Sequence, residues 1–324
     1  MGASLIEKPI FLLGMPRSGT TLLFHVLAAR PDLAWFSQHL ERAPRFPAVS
    51  VVSRLADLTP AARRAIGRSD QHRPWLEKLR VGPSEAYTVW ERCCGRRFRY
   101  DFLLGTSATA DERRRARSTV GRVLRYQGKP RFAAKITGPA RVEYLTSIFP
   151  DARFVHVIRD GRAVAQSLMR VHFWRDSWRM HEPAWTGGLS DADLAEWERF
   201  ERSPLALAAI QWRVVVRSAR EEAAGLAPDR YAEIRYEDFV ASPHRLLDEL
   251  AATCDLGPSP KSSAFLDSRI ALRDMNFQWR ERFSDHEIAA LDAIMGETLA
   301  EHGYGADSAQ PGGDPSIRRP FVPA

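Results

Sequence analysis

A short loop bounded by two glycines, close to the start of the chain, has the residue types of an anion-binding site. The loop is the segment Gly14-Met-Pro-Arg-Ser-Gly-Thr-Thr21, between a predicted buried strand and a predicted helix. At such a junction the backbone N–H groups and the positive end of the helix dipole converge on an anion. The spacing matches the phosphate loop of ATP- and GTP-binding proteins, but Thr20 stands where those proteins have a lysine for the β- and γ-phosphates. The cation is Arg17, so the segment predicts an anion with one phosphate and one further charged group.

A second group of polar residues follows a strongly apolar segment, 153–158, that predicts a buried strand. Arg159 and Asp160 come directly after it, and the next predicted helix carries Ser167. Polar groups at the carboxyl end of a parallel strand face the crevice in which open α/β sheets bind ligands. We therefore expect Arg159 and Ser167 to contact one common anion. Arg162 and Arg170, in contrast, are expected on the surface.

Apolar patterning predicts the elements that position these residues. The predicted strands are 9–14, 132–136, 153–158 and 231–236, and the predicted helices are 20–30, 141–149, 161–171, 205–224 and 243–254. Strands that alternate with helices predict an α/β fold, in which helices flank a parallel β-sheet in a three-layer architecture.

The remaining segments predict the domain organisation. Residues 1–305 are expected to form one domain, with helical and loop insertions at about 38–128 and 172–203 placed around the site. The segment 306–324 is rich in glycine, proline and serine and predicts a flexible C-terminal tail.

Composition limits the functional classes. The formal net charge is +7, with 47 Lys and Arg against 40 Asp and Glu, which suits an anionic small ligand. No zinc-finger spacing, basic zipper or RNA-binding signature favours nucleic acid, and no His/Cys cluster predicts a metal site. Three cysteines cannot build a disulfide framework, and no apolar run is long enough for a transmembrane helix or a signal peptide. The expected location is the cytoplasm.

The segment Pro-Ile-Phe-Leu-Leu-Gly-Met-Pro-Arg-Ser-Gly-Thr-Thr-Leu-Leu resembles the 5′-phosphosulfate loop of the sulfotransferases that use 3′-phosphoadenosine-5′-phosphosulfate (PAPS), and the bacterial branch of that family in particular. The Arg159-to-Ser167 segment resembles the family's 3′-phosphate motif. The resemblance implies a P-loop NTPase-like fold and transfer of a sulfuryl group from PAPS to a hydroxyl or amine of an acceptor, which leaves 3′,5′-ADP. It implies no metal, because side-chain cations take the place that Mg²⁺ has in kinases.

The same resemblance implies which residues bind the donor. Beside Arg159 and Ser167, they are Pro16, Arg17, Ser18, Gly19, Thr20, Thr21, Tyr236 and Arg280. Tyr236 lies in a segment, 230–238, that is similar to a late family strand ending in Tyr-Glu-Asp. Arg280 lies in a segment like the family's C-terminal loop over the 3′-phosphate, but Gln278 stands where a lysine is common.

The sequence predicts the catalytic residues less completely than the residues that bind the donor. Arg17 and the loop amides are candidates for neutralising charge on the transferring group. By resemblance, Lys135 is assigned to stabilisation of the leaving group, and Thr137 stands where many relatives have a catalytic histidine. Three other residues are candidates for the general base and are left as alternatives: His39, Glu41 and Glu85.

Two other functions compete with sulfuryl transfer. A divergent P-loop kinase or NTPase would need a lysine from elsewhere and an acidic metal ligand. A catalytically inactive nucleotide-binding relative would explain why the histidine is missing at Thr137. The acceptor is not predicted beyond a small molecule, a carbohydrate or a lipid, which Trp90, Trp174, Trp178 and Trp185 would suit. The oligomeric state is not predicted either.

Overall fold

The fold is built on one five-stranded parallel sheet with the strand order β2-β3-β1-β4-β5. The computed structural model describes residues 6–58, 81–171, 174, 182–269, 276–305 and 317. The strands are β1 (Ile10–Gly14), β2 (Leu33–Ala34), β3 (Arg131–Thr137), β4 (Arg153–Ile158) and β5 (Tyr231–Arg235). Because β1 lies between β3 and β4, the loops that follow these three strands meet at one edge of the sheet.

Helices connect the strands along the chain. The helices up to β3 are α1 (Thr20–Ala28), α2 (Gln38–Arg42), α3 (Val51–Leu58), α4 (Tyr87–Cys94), α5 (Arg97–Tyr100) and α6 (Ala110–Gln127). Those up to β5 are α7 (Val142–Ile148), α8 (Gly161–Leu168), α9 (Asp191–Arg199) and α10 (Pro204–Ala223). After β5 come α11 (Tyr236–Ala241), α12 (Pro243–Thr253), α13 (Pro260–Arg269) and α14 (Asp285–Glu301), and two short 3₁₀ helices lie at Pro47–Ser50 and Asn276–Trp279.

The central strand β1 shows why the sheet is covered on both faces. Its side chains alternate, so Phe11 and Leu13 enter one core with residues of α4, α6 and α7. Ile10 and Leu12 enter a second core with residues of α1, α12 and α13. All four side chains are fully buried. The α/β, three-layer prediction is therefore confirmed.

The predicted elements correspond closely to the observed ones, and the differences lie outside the central strands. The edge strand β2, the six-residue helix α11 and the C-terminal helices α13 and α14 were not predicted. The predicted helices 20–30 and 161–171 end earlier, at Ala28 and Leu168. Much of the tail 306–324 and part of the two insertions lie outside the described residues, so the domain boundaries stay predictions. No helix in the described ranges is both long and apolar enough to cross a bilayer.

Candidate active site

The loop between β1 and α1 takes a shape that two glycines make possible. A Cβ at Gly14 would lie 2.6 Å from the carbonyl oxygen of Val157 in β4, and a Cβ at Gly19 would collide with the ring of Tyr236. Gly19 also has a φ of 84°, in the left-handed region that suits glycine. It precedes α1, whose first turn has no side-chain cap within the described part of the chain. The free N–H groups of that turn are consequently available to an anion.

Two arginines from neighbouring strands meet at this loop. Nε of Arg17 donates to Oγ of Ser167 at 2.9 Å, and Nη1 of Arg159 donates to the backbone oxygen of Arg17 at 3.1 Å. Burial, followed by repulsion from Arg159, lowers the pKa of the Arg17 guanidinium. Two like charges held close together in this way favour an anion between them.

A cavity of about 410 Å³ opens beside the two guanidinium groups. We call it the arginine cavity. The residues that line it are Arg17, Gly19, Thr20, Thr21, Leu22, Arg159, Gln166, Ser167, Arg170, Val171, Tyr236 and Gln278. Three of them are arginines and none is acidic. The cavity therefore has the charge of a site for a multiply charged anion.

Most of the residues predicted to bind the donor reach this cavity. Arg17, Gly19, Thr20, Thr21, Arg159, Ser167 and Tyr236 line it, whereas Pro16, Ser18 and Arg280 are absent from its lining. Ser18 lies inside the loop with 1% of its surface exposed. The guanidinium of Arg280 lies 5.3 Å from the ring centroid of its neighbour Trp279.

An aromatic ring packs against the second arginine, and a buried carboxyl follows that ring in the sequence. The guanidinium carbon of Arg159 lies 4.8 Å from the ring centroid of Tyr236. The neighbouring Glu237 accepts hydrogen bonds from the Asp160 N–H at 3.2 Å and the Tyr304 hydroxyl at 2.7 Å. Burial raises the pKa of Glu237 to about 7. The acid beside the arginine cavity therefore carries much less negative charge near neutral pH than an exposed glutamate does, and this preserves the positive potential of the cavity.

The expectation that Arg162 lies on the surface is wrong. Its side chain is 2% exposed, and its guanidinium pairs with Asp160 at 2.9 Å and with Asp292 at 3.3 Å. It also lies 4.4 Å from the ring centroid of Trp279. Asp160 in turn caps α8 through the N–H of Arg162. Arg162 is therefore buried together with Asp160 at the start of α8, and the carboxylates of Asp160 and Asp292 compensate its charge, as a buried cation requires.

Arg170 was not predicted as a site residue, although it is exposed as expected. It lines the arginine cavity together with Ser167, which is three residues earlier. The backbone N–H of Arg170 donates to the oxygen of Ser167, which continues the turn. Residues three apart on a helical turn share one face, so this spacing is the signal that could have identified Arg170.

Next to the cavity, four polar side chains form a connected group. Nζ of Lys135 donates to the hydroxyl of Thr21 at 2.8 Å and pairs with Glu85 at 2.8 Å. The hydroxyl of Thr137 donates to the other oxygen of Glu85 at 2.8 Å. We call Thr21, Glu85, Lys135 and Thr137 the Glu85 cluster. Because Thr21 also lines the arginine cavity, the lysine joins the anion site to a carboxylate.

The other two candidates for the general base have different surroundings. Glu41 in α2 accepts a hydrogen bond from the hydroxyl of Ser84, directly before Glu85, and its backbone oxygen accepts one from Thr88. Nδ1 of His39 has no hydrogen-bond partner among the described residues, and burial, followed by repulsion from Arg42, lowers the pKa of its ring. Of the three, only Glu85 pairs with Lys135 in the described contacts.

The tryptophans named as candidates for acceptor binding are mainly buried. Trp90 lies between Phe36 and Phe98 in the core, and Trp174 is fully buried. Trp185 is 7% exposed and covers Gly138, directly after Thr137. Trp178 lies outside the described residues. Of the candidate tryptophans that the structure describes, Trp185 is thus the one that packs on a residue next to the Glu85 cluster in the sequence.

The described residues contain no group of three or more His, Cys, Asp or Glu side chains arranged to hold a metal ion. The charged groups at the site are instead arginines and a lysine. These can stabilise negative charge through hydrogen bonds and Coulomb attraction.

Comparisons with known proteins agree with this arrangement. A family model described as the sulfotransferase family matches residues 9–260. The omega-hydroxy-beta-dihydromenaquinone-9 sulfotransferase Stf3 of Mycobacterium tuberculosis is 24% identical over 178 residues, which are 53% of this chain and 40% of that relative. The same enzyme of Mycobacterium bovis gives the same values. The chain thus spans less than half the length of these curated relatives.

Solved structures show the same fold. The sulfotransferase STF9 from Mycobacterium avium superposes with a TM-score of 0.58 at 17% identity, over 91% of this chain and 77% of that one. The sulfotransferase STF1 from Mycobacterium tuberculosis has a TM-score of 0.52 at 14% identity, over 90% and 78% of the two chains.

Proposed function

Since this chain belongs to the sulfotransferase family, we propose that it transfers the sulfuryl group of PAPS to a hydroxyl group of a small-molecule acceptor and releases 3′,5′-ADP. The observation that carries the proposal is the arginine cavity, which Arg17, Arg159 and Arg170 line and in whose described lining no acidic residue takes part. PAPS has a phosphosulfate at one end of its adenosine and a 3′-phosphate at the other, so it needs cations at two separate points.

The residues present fit this co-substrate. The loop after β1 can hold the phosphosulfate through Arg17 and the free N–H groups of α1, and Gly14 and Gly19 keep that space clear. Arg159 and Ser167 can hold the 3′-phosphate, with Arg170 beside them and Tyr236 along the cavity wall. PAPS supplies the activated sulfuryl group, and Arg17 and Lys135 supply positive charge where the bond to the phosphate breaks.

Glu85 is the general base in this proposal. It is the candidate carboxylate bonded to Lys135, and Thr137 fixes its second oxygen. Thr137 therefore takes a positioning role at the place where many relatives have the catalytic histidine. The acceptor hydroxyl loses its proton to Glu85 as its oxygen bonds to sulfur, and the bond between sulfur and the phosphate oxygen breaks. The Stf3 relatives are named for an omega-hydroxy acceptor, which supports a hydroxyl rather than an amine.

Each of the two competing functions predicts a different result of ligand binding and turnover experiments. A kinase or NTPase would bind a triphosphate with Mg²⁺, and an inactive relative would bind 3′,5′-ADP without turnover. A cytoplasmic location is part of the proposal and stays a prediction.

Thermal unfolding separates these functions. We expect 3′,5′-ADP at 100 times its dissociation constant to stabilise the protein by about 2.7 kcal/mol. Adenosine 5′-monophosphate, which lacks the 3′-phosphate, is the matched control and should stabilise it much less at the same concentration. Stabilisation by ATP and Mg²⁺ alone would favour the kinase.

Mass spectrometry of a reaction with PAPS and a cell extract then tests turnover. Binding of 3′,5′-ADP without any sulfated product would favour the inactive relative.

A further inference from the structure

A cluster of exposed apolar side chains lies on the segment that follows α2. Four of the six large apolar side chains exposed in the described part of the chain fall within ten residues. We call them the Phe46 patch; they are Phe46, Val51, Val52 and Leu55, with exposed fractions of 64%, 41%, 36% and 57%. In the same segment Ser50 and Ser53 are buried, and their hydroxyl groups have no hydrogen-bond partner among the described residues. Apolar groups thus face the solvent while hydroxyl groups face the interior, the reverse of what water favours.

The same segment is positively charged. Arg42, Arg45 and Arg54 are exposed, and residues 42–56 contain no acidic residue. The segment rests on α6, which has six arginines against two acids. A guanidinium atom of Arg54 would lie 3.3 Å from a Cβ at Gly128, directly after α6. The patch therefore lies on a segment that carries three exposed arginines and packs on a basic helix.

We propose that the Phe46 patch and its arginines form a surface that docks on an anionic lipid bilayer. Apolar side chains that enter the interfacial region gain the free energy of leaving water, and arginines at the level of the headgroups attract anionic lipids. The exposed Arg45 and Arg54 directly adjoin Phe46 and Leu55 in the sequence, and no acidic residue lies within residues 42–56, which suits the anionic headgroups of a bilayer.

The position of the surface gives it a role in the proposed reaction, and this role rests on the proposed function. Arg42 directly follows Glu41, which is hydrogen-bonded to Ser84, and Ser84 precedes Glu85. The segment that carries the patch thus begins next to a residue that is hydrogen-bonded to the neighbour of the proposed base. An amphipathic acceptor that resides in the bilayer would present its hydroxyl to Glu85 when the protein is docked.

Vesicle co-sedimentation of the full chain tests the docking surface. Vesicles of an equal mixture of phosphatidylcholine and phosphatidylglycerol should bind the protein, and binding should weaken as salt is added. The double variant Phe46→Ser/Leu55→Ser should bind at least about tenfold more weakly because two apolar side chains no longer enter the bilayer. Arg45→Gln should weaken binding about fivefold.

The matched control is Leu104→Ser/Leu194→Ser, which removes two exposed leucines from elsewhere on the surface. This control should bind vesicles as the unchanged protein does. Equal binding by the Phe46→Ser/Leu55→Ser variant would overturn the proposal, as would equal binding of the unchanged protein to pure phosphatidylcholine vesicles. A dimer that dissociates in the patch variant, without any vesicle binding, would assign the patch to a second copy and also overturn it.

The stabilisation by 3′,5′-ADP keeps this test separate from the test of the proposed function. Patch variants should retain that stabilisation, because the Phe46 patch is absent from the arginine cavity. Vesicle binding without 3′,5′-ADP binding would contradict the proposed function and leave the docking surface intact. The opposite result would contradict the docking surface alone.

Discussion

The residues of the arginine cavity and those of the Glu85 cluster reach the active site by different routes. The cavity is built where β1 and β4, which are hydrogen-bonded neighbours, end in loops and helix starts. The Glu85 cluster joins Lys135 in β3 and Thr21 in α1 to Glu85, which lies in the long connection between β2 and β3. The arginine cavity follows from sheet order and local motifs, whereas the Glu85 cluster depends on an ion pair and a hydrogen bond between segments that are distant in the chain. In the proposed reaction, donor binding and proton removal can therefore be lost separately.

The largest expected effect is on the Glu85 cluster. Glu85→Gln removes the base and the charge that pairs with Lys135, so sulfuryl transfer should fall by about 10²- to 10⁴-fold. Stabilisation by 3′,5′-ADP should change little. Turnover with PAPS and an acceptor-containing extract measures the first quantity, and thermal unfolding measures the second. Glu41→Gln and His39→Gln are the matched controls, and loss of transfer in either of them but not in Glu85→Gln would move the base to that residue.

The second prediction compares Arg17, which lies beside another arginine, with Arg162, which is paired with two carboxylates. Arg17→Ala should lower turnover by about 10²- to 10³-fold because one preorganised cation is lost at the transferring group. Without donor its melting temperature should change little, since the loss of the hydrogen bond to Ser167 is offset by the relief of repulsion from Arg159. Arg162→Ala should instead cost about 3 to 5 kcal/mol of stability, because it leaves the buried Asp160 carboxylate without its cation. Unchanged turnover in Arg17→Ala would remove this residue from the mechanism.

The smallest effect distinguishes the arginine that sequence reasoning missed from the one that it proposed. Arg170→Ala should weaken 3′,5′-ADP binding by about tenfold and reduce the preference for 3′,5′-ADP over adenosine 5′-monophosphate. Arg280→Ala is the matched control, because Arg280 is exposed and absent from the cavity lining. Titration calorimetry measures both. A larger loss in Arg280→Ala would show that the C-terminal segment, rather than the turn after α8, contacts the nucleotide.

The difference between the two routes also explains which residues the sequence could predict. Arg17, Arg159 and Ser167 sit at fixed offsets from strands that apolar patterning identifies, so their convergence follows once the strands are parallel neighbours. Arg162 was placed wrongly because its two acidic partners include Asp292, far along the chain, and its burial depends on them. Glu85 could be named only as one of three candidates, since no local pattern places it beside Lys135.

Sequence alone determined the α/β fold, four of its five strands and the position of the glycine-bounded loop after β1, because strand and helix periodicity and glycine requirements are properties of short segments. Tertiary structure decided which carboxylate meets Lys135, which arginine is buried and which lines the cavity. It also decided that Phe46 and Leu55 face outwards while Ser50 and Ser53 face inwards. These outcomes depend on contacts between segments distant in the chain, and the free energies of those contacts are not set by either segment by itself.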